Sequence, residues 1–226
     1  MIDRERLDVF LASFEKENPP FLDRIEQEAL QGGEPIIRPQ TQSLLRFLLA
    51  LHRPMSILEV GCAVGFSALF MSEYAPGDCR ITTIEKVERR IRTAKENFRQ
   101  AGKDGGITLL EGDAADILKE LEDPYDMIFM DAAKGQYLNF LPDVLRLLAP
   151  GGLLVSDNVL QDGSILESRF AVERRDRTIH SRMREYLFEL THNEELTTTV
   201  LPVGDGVTVS VKRGAGDDET VNRKRG

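Results

Sequence analysis

The stretch Ser56-Ile-Leu-Glu-Val-Gly-Cys-Ala-Val-Gly-Phe-Ser67 constrains this chain more than any other. It opens as a short aliphatic and β-branched run, the pattern of a buried strand. It breaks at Gly61 and Gly65, and a helical pattern follows from Phe66 to about Tyr74. Strand, glycine turn and helix in that order build the nucleotide-binding corner of a doubly wound α/β sheet. Gly61 is expected to let the backbone pass close under a ligand, where a Cβ would intrude. The spacing is G-x-x-x-G, not the G-x-G-x-x-G that cradles a dinucleotide pyrophosphate. Glu59, just before the turn, repels phosphate but can hold an ammonium group. S-adenosylmethionine, whose amino acid end carries an amine and a carboxylate, suits that combination. An ordinary strand-turn-helix corner is the plainer alternative.

Length and charge narrow the classes. At 226 residues and 41% hydrophobic composition the chain suits one large α/β domain over residues 1–213, with residues 214–226 a loose polar tail. The charged start, Met-Ile-Asp-Arg-Glu-Arg, has no apolar core of a signal peptide. No apolar run approaches the roughly 20 residues of a membrane helix. Cys62 and Cys79 suggest neither metal spacing nor a disulfide framework, so the expected location is the cytoplasm. The net charge of −9 argues against indiscriminate nucleic-acid binding but leaves room for a local basic surface.

Two amphipathic helices, Asp3 to Lys16 and Phe21 to Gln31, precede an extended link at Ile36-Ile-Arg-Pro39 and a third helix to Leu51. Beyond the glycine turn the alternation is regular. Strands are expected at Arg80–Ile84, Gly106–Leu110, Met127–Met130 and Leu153–Ser156. Helices are expected at Val87–Ala101, Asp113–Leu121, Leu138–Leu148 (ended by Pro150-Gly-Gly) and Phe170–Thr191. The last two strands, Thr197–Leu201 and Val207–Val211, are joined by Pro202-Val-Gly-Asp-Gly206. That link is too short for a parallel crossover, so this pair is antiparallel. The expectation is a Rossmann-like, doubly wound, seven-stranded sheet with an antiparallel last strand and N-terminal helices, as in methyltransferases rather than dehydrogenases.

Ligands bind outside the carboxyl ends of strands in such sheets, and here those ends carry acids. Glu85 lies 24 positions after Gly61, where a carboxylate can accept both ribose hydroxyls. Asp113 is placed to accept from an adenine amino group, although a helix N-cap explains it equally well. Asp131, Asp157 and Asn158 end two neighbouring strands. Three such oxygens leave open positions on Mg²⁺ or Ca²⁺, which can hold two substrate oxygens and make a hydroxyl easier to deprotonate. Lys134 is placed to take that proton or to stabilise the oxyanion.

Together, Glu59-Val-Gly-Cys-Ala-Val-Gly-Phe-Ser67, Asp131-Ala-Ala-Lys134 and Ser156-Asp-Asn158 resemble the metal-dependent O-methyltransferases of the catechol and caffeoyl-CoA type, from about Ile36 to Lys212. More narrowly, Tyr125-Asp-Met-Ile-Phe, Asp131-Ala-Ala-Lys-Gly-Gln-Tyr137 and Pro202-Val-Gly-Asp-Gly206 are similar to bacterial tRNA 5-hydroxyuridine methyltransferases. Those enzymes are dimers that convert a wobble hydroxyuridine to 5-methoxyuridine. The resemblance implies cofactor contacts at Ile37, Ser67, Glu85, Asp113, Ala114 and Asp131, metal ligands Asp131, Asp157 and Asn158, and catalytic Lys134. It implies a tRNA anticodon stem-loop or a small catechol-like substrate as partner. The chain departs from many small-molecule members in having no tryptophan after the Asp-Asn pair or anywhere else, and in carrying Gln40-Thr41-Gln42 after the Ile36 link. Arg169, Arg174, Arg175, Arg177, Arg182 and Arg184 crowd the region after the metal pair, where they are expected either to hold RNA phosphates or to pair with interleaved acids. A cofactor-binding module without catalysis has no use for the metal triad.

Overall fold

The computed structural model describes residues 4–168 and 172–214. Three helices come first: α1 (Arg4–Ala12), α2 (Pro20–Gln31) and α3 (Pro39–His52). Strand and helix then alternate through β1 (Ser56–Val60), α4 (Phe66–Tyr74), β2 (Arg80–Glu85), α5 (Glu88–Gln100), β3 (Ile107–Glu111) and α6 (Ala114–Glu120). The chain continues with β4 (Tyr125–Met130), α7 (Tyr137–Leu147), β5 (Leu148–Ser156), α8 (Arg177–His192), β6 (Leu196–Leu201) and β7 (Val207–Lys212). Short 3-10 turns occupy Lys134–Gln136 and Gln161–Leu166. Among the described residues no helix is long and apolar enough to cross a membrane.

The sheet order is β3-β2-β1-β4-β5-β7-β6. The first five strands are parallel, and β7 runs antiparallel to both β5 and β6. The expected seven-stranded sheet with a reversed last strand is therefore present. Sequence order reverses on either side of β1 and β4, so the carboxyl ends of these two strands form the crevice where ligands bind in open α/β sheets.

Both faces of the sheet are covered, as parallel strands require. Ile57, Met127, Phe129 and Val155 point into one buried cluster with α2, α3 and α4. Leu58, Ile128, Met130 and Leu154 point into the other, with Val144 of α7 and Tyr186 of α8. In α4 the run Phe66–Met71 is buried on every side, and full burial of each large apolar side chain is worth roughly 1.5–3 kcal/mol. That packing fixes the glycine turn from below.

Three boundaries differ from expectation. Helix α1 ends at Ala12 rather than near Lys16, where Ser13 Oγ donates to the Phe10 carbonyl and a turn follows. Strand β5 starts at Leu148, before the Pro-Gly-Gly segment, with a register shift against β4 between Tyr125 and Met127. Helix α8 starts at Arg177; the expected start at Phe170 and the arginine at 169 lie outside the described residues, as does the tail from 215 onward.

Candidate active site

The cavity above the β1 and β4 ends has a volume of about 590 Å³. Gly61, Ser67, Glu85, Asp113, Ala114, Asp131, Lys134 and Asn158 all line it, and so does Ile37. Two residues expected in the site do not: Glu59 and Asp157 lie beneath its wall.

Gly61 is held in a conformation that side chains avoid, with φ +103. A Cβ there would collide with the Asp131 carbonyl oxygen and stand 2.8 Å from the carbonyl carbon. The close approach that demands glycine is thus to the end of β4, which seats Asp131 beside the turn. Glu59 is fully buried and accepts a hydrogen bond from the Thr83 hydroxyl, so it braces β1 against β2. Its Oε1 is buried without a hydrogen-bond partner among the described residues. Burial pushes its carboxyl up to about 7. The sequence leads to the expectation of a direct grip on an ammonium group; the structure places the Glu59 side chain under the turn, outside the cavity lining.

Glu85 ends β2, and its carboxylate is preorganised by backbone donors. Oε2 accepts from Ala63 N at 2.9 Å, and Oε1 accepts from Lys86 N and Val87 N at 2.9 Å each. It therefore ties the glycine turn to the start of α5 while facing the cavity. Asp113 is the N-cap of α6: Oδ1 accepts from Ala115 N at 2.9 Å, while Oδ2 pairs with Lys86 at 3.1 Å. The Ala115 N–H and the Lys86 ammonium hold its carboxyl below the ordinary range.

At the other end of the cavity stand the acids of β4 and β5. Asn158 joins them: its backbone N–H donates to Asp157 Oδ1 at 2.8 Å and its Nδ2 donates to Asp131 Oδ1 at 2.9 Å. Asn158 has φ +60, a left-handed conformation that asparagine tolerates better than most residues. Tyr137 OH, on α7, clasps the Met130 carbonyl at 3.1 Å and the Asp157 carbonyl at 3.0 Å, fixing both strand ends. Burial raises the Asp131 carboxyl to about 6, against the Asn158 amide and the Lys134 charge. Burial and then repulsion from Asp131 raise Asp157 to about 7. Two neighbouring acids that resist ionisation suit a bound cation, whose charge would reverse both penalties. A half-turn of the Asn158 amide would present a third oxygen. Among the described residues no three His, Cys, Asp or Glu side chains cluster as a metal site.

The sequence pattern assigns no role to two residues that the structure brings to the site. Asp205, buried in the β6–β7 turn, lines the cavity and pairs with Lys134 Nζ at 3.2 Å. Its turn is locked onto the end of β5, because Leu160 N donates to the Asp205 carbonyl and Val159 N to the Gly206 carbonyl. Thr41 of α3 donates to Asp157 Oδ1 at 3.4 Å. Conversely, the arginines of α8 are not all free for phosphates. Arg182 donates to the Gly135 carbonyl at 2.8 Å, Arg184 to the Ile165 carbonyl at 3.0 Å, and Arg177 to the Val172 carbonyl at 3.1 Å. Arg175 pairs with Glu173 and Asp176.

Residues 15–213 match the family model described as O-methyltransferase. The chain belongs to this family. A catechol O-methyltransferase of Niastella koreensis is 35% identical over 143 residues, which span 61% of this chain and 65% of that protein. Among solved structures, the O-methyltransferase TomG of Streptomyces achromogenes, in complex with SAM, superposes with a TM-score of 0.81 at 26% identity, covering 95% of this chain and 100% of TomG. The SAH-bound methyltransferase PaMTH1 of Podospora anserina gives 0.83 at 25% identity, covering 93% and 95%. In this O-methyltransferase of the catechol and caffeoyl-CoA type, Glu85, Asp113, Asp131 and Lys134 line a single cavity.

Proposed function

We propose that this O-methyltransferase moves the methyl group of S-adenosylmethionine, with the help of a divalent cation such as Mg²⁺, to the 5-hydroxyl of a wobble hydroxyuridine in tRNA, giving 5-methoxyuridine. The observation that carries the proposal is the division of one cavity into two ends. Glu85 and Asp113 form one, while Asp131, Asn158, Lys134 and Asp205 form the other.

In the transfer, the substrate oxygen bonds to the methyl carbon as the carbon–sulfur bond breaks, and neutral S-adenosylhomocysteine leaves. The hydroxyl proton passes to solvent. Glu85 accepts the ribose hydroxyls with a carboxylate already aimed by three backbone N–H groups. Ile37 covers the cofactor from the segment before α3. Asp131, Asp157 and Asn158 would hold the cation, which when bound would supply positive charge that makes the hydroxyl easier to ionise. The Asp205 carboxylate pairs with Lys134 and aims its side chain at the site, where Lys134 can stabilise the oxyanion. The rest of the work is alignment, which can be worth several kcal/mol.

The tRNA reading is supported by where its resemblance falls. Asp131-Ala-Ala-Lys-Gly-Gln-Tyr137 carries the β4 acid, Lys134 and the clasp of Tyr137, and Pro202-Val-Gly-Asp-Gly206 brings Asp205 to Lys134. The 5-hydroxyl of the base stands next to the 4-carbonyl, the same pair of adjacent oxygens that a catechol offers. The arginine surface, however, shrinks to exposed Arg174 and to Arg175, which is exposed but paired with Glu173 and Asp176. Exposed Phe10, Phe14, Phe47 and Leu51 on the N-terminal helices and the loop after α1 support the homodimer. A small catechol as substrate is the second reading, favoured by the Niastella relative. Incubation with methyl-labelled cofactor, Mg²⁺ and either hydroxyuridine-containing tRNA or catechol, followed by mass spectrometry, separates the two. Label in 5-methoxyuridine at a rate well above catechol turnover is expected; the reverse order rejects the tRNA substrate.

A further inference from the structure

The segment Pro35, Ile36, Ile37 and Arg38 forms one wall of the cavity but belongs to no strand, so its position depends on its two ends. The far end is built into α3: Gln42 Nε2 donates to the Ile37 carbonyl at 3.1 Å, and Gln42 N donates to the Arg38 carbonyl at 2.9 Å. The near end begins at Glu34. Its backbone N–H donates to the Ala29 carbonyl at 2.9 Å, which anchors it to the end of α2. Its side chain crosses to α5, where Oε2 meets Arg90 Nε at 2.9 Å and Oε1 pairs with Arg89.

This is not an ordinary surface ion pair. The Glu34 side chain is only 6% exposed, while Arg89 on its outer side is 68% exposed. Burial works against the charge of Glu34, but hydrogen bonds and charge from Arg90 and Arg89 outweigh it and hold the carboxyl below its ordinary range. Arg90 itself lines the cavity beside Lys86 and Val87. The contact therefore joins the loose wall to the side of the cavity that carries Glu85, and those two walls cannot part while it holds.

We propose that Glu34 is a positioning residue: by clasping Arg90 and Arg89 it fastens the segment 35–38 along the cavity and sets how fast S-adenosylmethionine and S-adenosylhomocysteine exchange. The proposal rests on the cofactor reading above. A loosened near end would swing from the cavity while the far end stays tied to α3 through Gln42, so exchange should change and chemistry should not.

The test is the dissociation rate of S-adenosylhomocysteine, read by stopped-flow displacement on the full chain across a sodium chloride series. Glu34→Gln keeps the size of the side chain and removes its charge. It should speed release by about tenfold, equivalent to about 1.4 kcal/mol. It should also raise KM for the cofactor by a similar factor without lowering kcat. Salt should accelerate release from the wild type, because Arg89 is exposed to screening, and should have little effect on the variant. Arg90→Gln should reproduce the change, and the double variant should add little to either single one. Release within twofold of wild type, or a salt dependence unchanged in Glu34→Gln, overturns the proposal, even where the melting temperature falls. A wild-type protein that binds no S-adenosylhomocysteine would instead overturn the cofactor assignment, a failure visible before any variant is made.

Discussion

Replacing Asp157 with asparagine should abolish methyl transfer and yet stabilise the ligand-free protein at neutral pH. Asparagine has the same shape and keeps Oδ1, the atom that accepts from Asn158 N at 2.8 Å and from Thr41 Oγ1 at 3.4 Å. What disappears is a charge that burial penalises and that faces Asp131. These effects raise Asp157 to about 7, against about 4 for an aspartate in an unfolded chain. Between those values the folded protein holds a proton that the unfolded chain has released. Stability therefore falls as pH rises from about 4 to about 7, and is level above. A rise of that size in one buried group corresponds to roughly 4 kcal/mol, and water penetration trims this to roughly 2 kcal/mol. In a chain of this length that is a gain of roughly 4–8 °C in melting temperature at pH 8. Near pH 4 the gain should nearly vanish, because both proteins are then neutral at this position. The assay is thermal unfolding of metal-stripped wild type and Asp157→Asn from pH 4 to 8. A variant no more stable at pH 8, or one with the same advantage at pH 4, would refute the reasoning. Millimolar Mg²⁺ should raise the wild-type melting temperature at pH 8 and do much less for the variant.

Three further outcomes follow from the site. Glu85→Gln should weaken S-adenosylmethionine binding by roughly 10- to 100-fold, because the ribose hydroxyls lose a charged acceptor worth about 1.5–3 kcal/mol; calorimetric titration showing unchanged affinity would remove Glu85 from the cofactor site. Asp205→Asn should lower kcat by about tenfold, since Lys134 loses the charged partner that aims it; an unchanged kcat would show that the pair does not position Lys134. Gly61→Ala should cost at least roughly 2 kcal/mol in denaturant unfolding, because a Cβ there meets the Asp131 carbonyl at a positive φ; wild-type stability would mean that the turn gives way more easily than its packing implies.

The strand ends were legible in the sequence because their signals are local. An apolar run followed by an acid marks the point where a buried strand meets the crevice, and Glu85, Asp131 and Asp157 were all placed that way. The geometry that depends on strand order was not legible. The pairing of the last two strands was read correctly as antiparallel, but nothing local says that β7 inserts between β5 and β6. That insertion carries the 202–206 turn over the end of β5 and delivers Asp205 to Lys134. Glu59 shows the converse: alternation in β1 decides which face its side chain takes, and the face it takes is buried against Thr83 rather than open to ligand. The arginine-rich stretch reads as one long helix because its charges recur at helical spacing, while in the structure the regular helix begins only at Arg177 and several guanidinium groups are spent on backbone carbonyls.

The central claim is that the acids ending β4 and β5 hold a cation that helps the bound hydroxyl react with S-adenosylmethionine. It is tested most directly by a single-turnover transfer of labelled methyl from the cofactor to hydroxyuridine-containing tRNA, run with metal-stripped enzyme and again after adding Mg²⁺. No 5-methoxyuridine is expected without the metal, full recovery is expected with it, and no recovery is expected in Asp131→Ala under either condition. Label transfer at the wild-type rate in metal-stripped enzyme, or in Asp131→Ala, would contradict it.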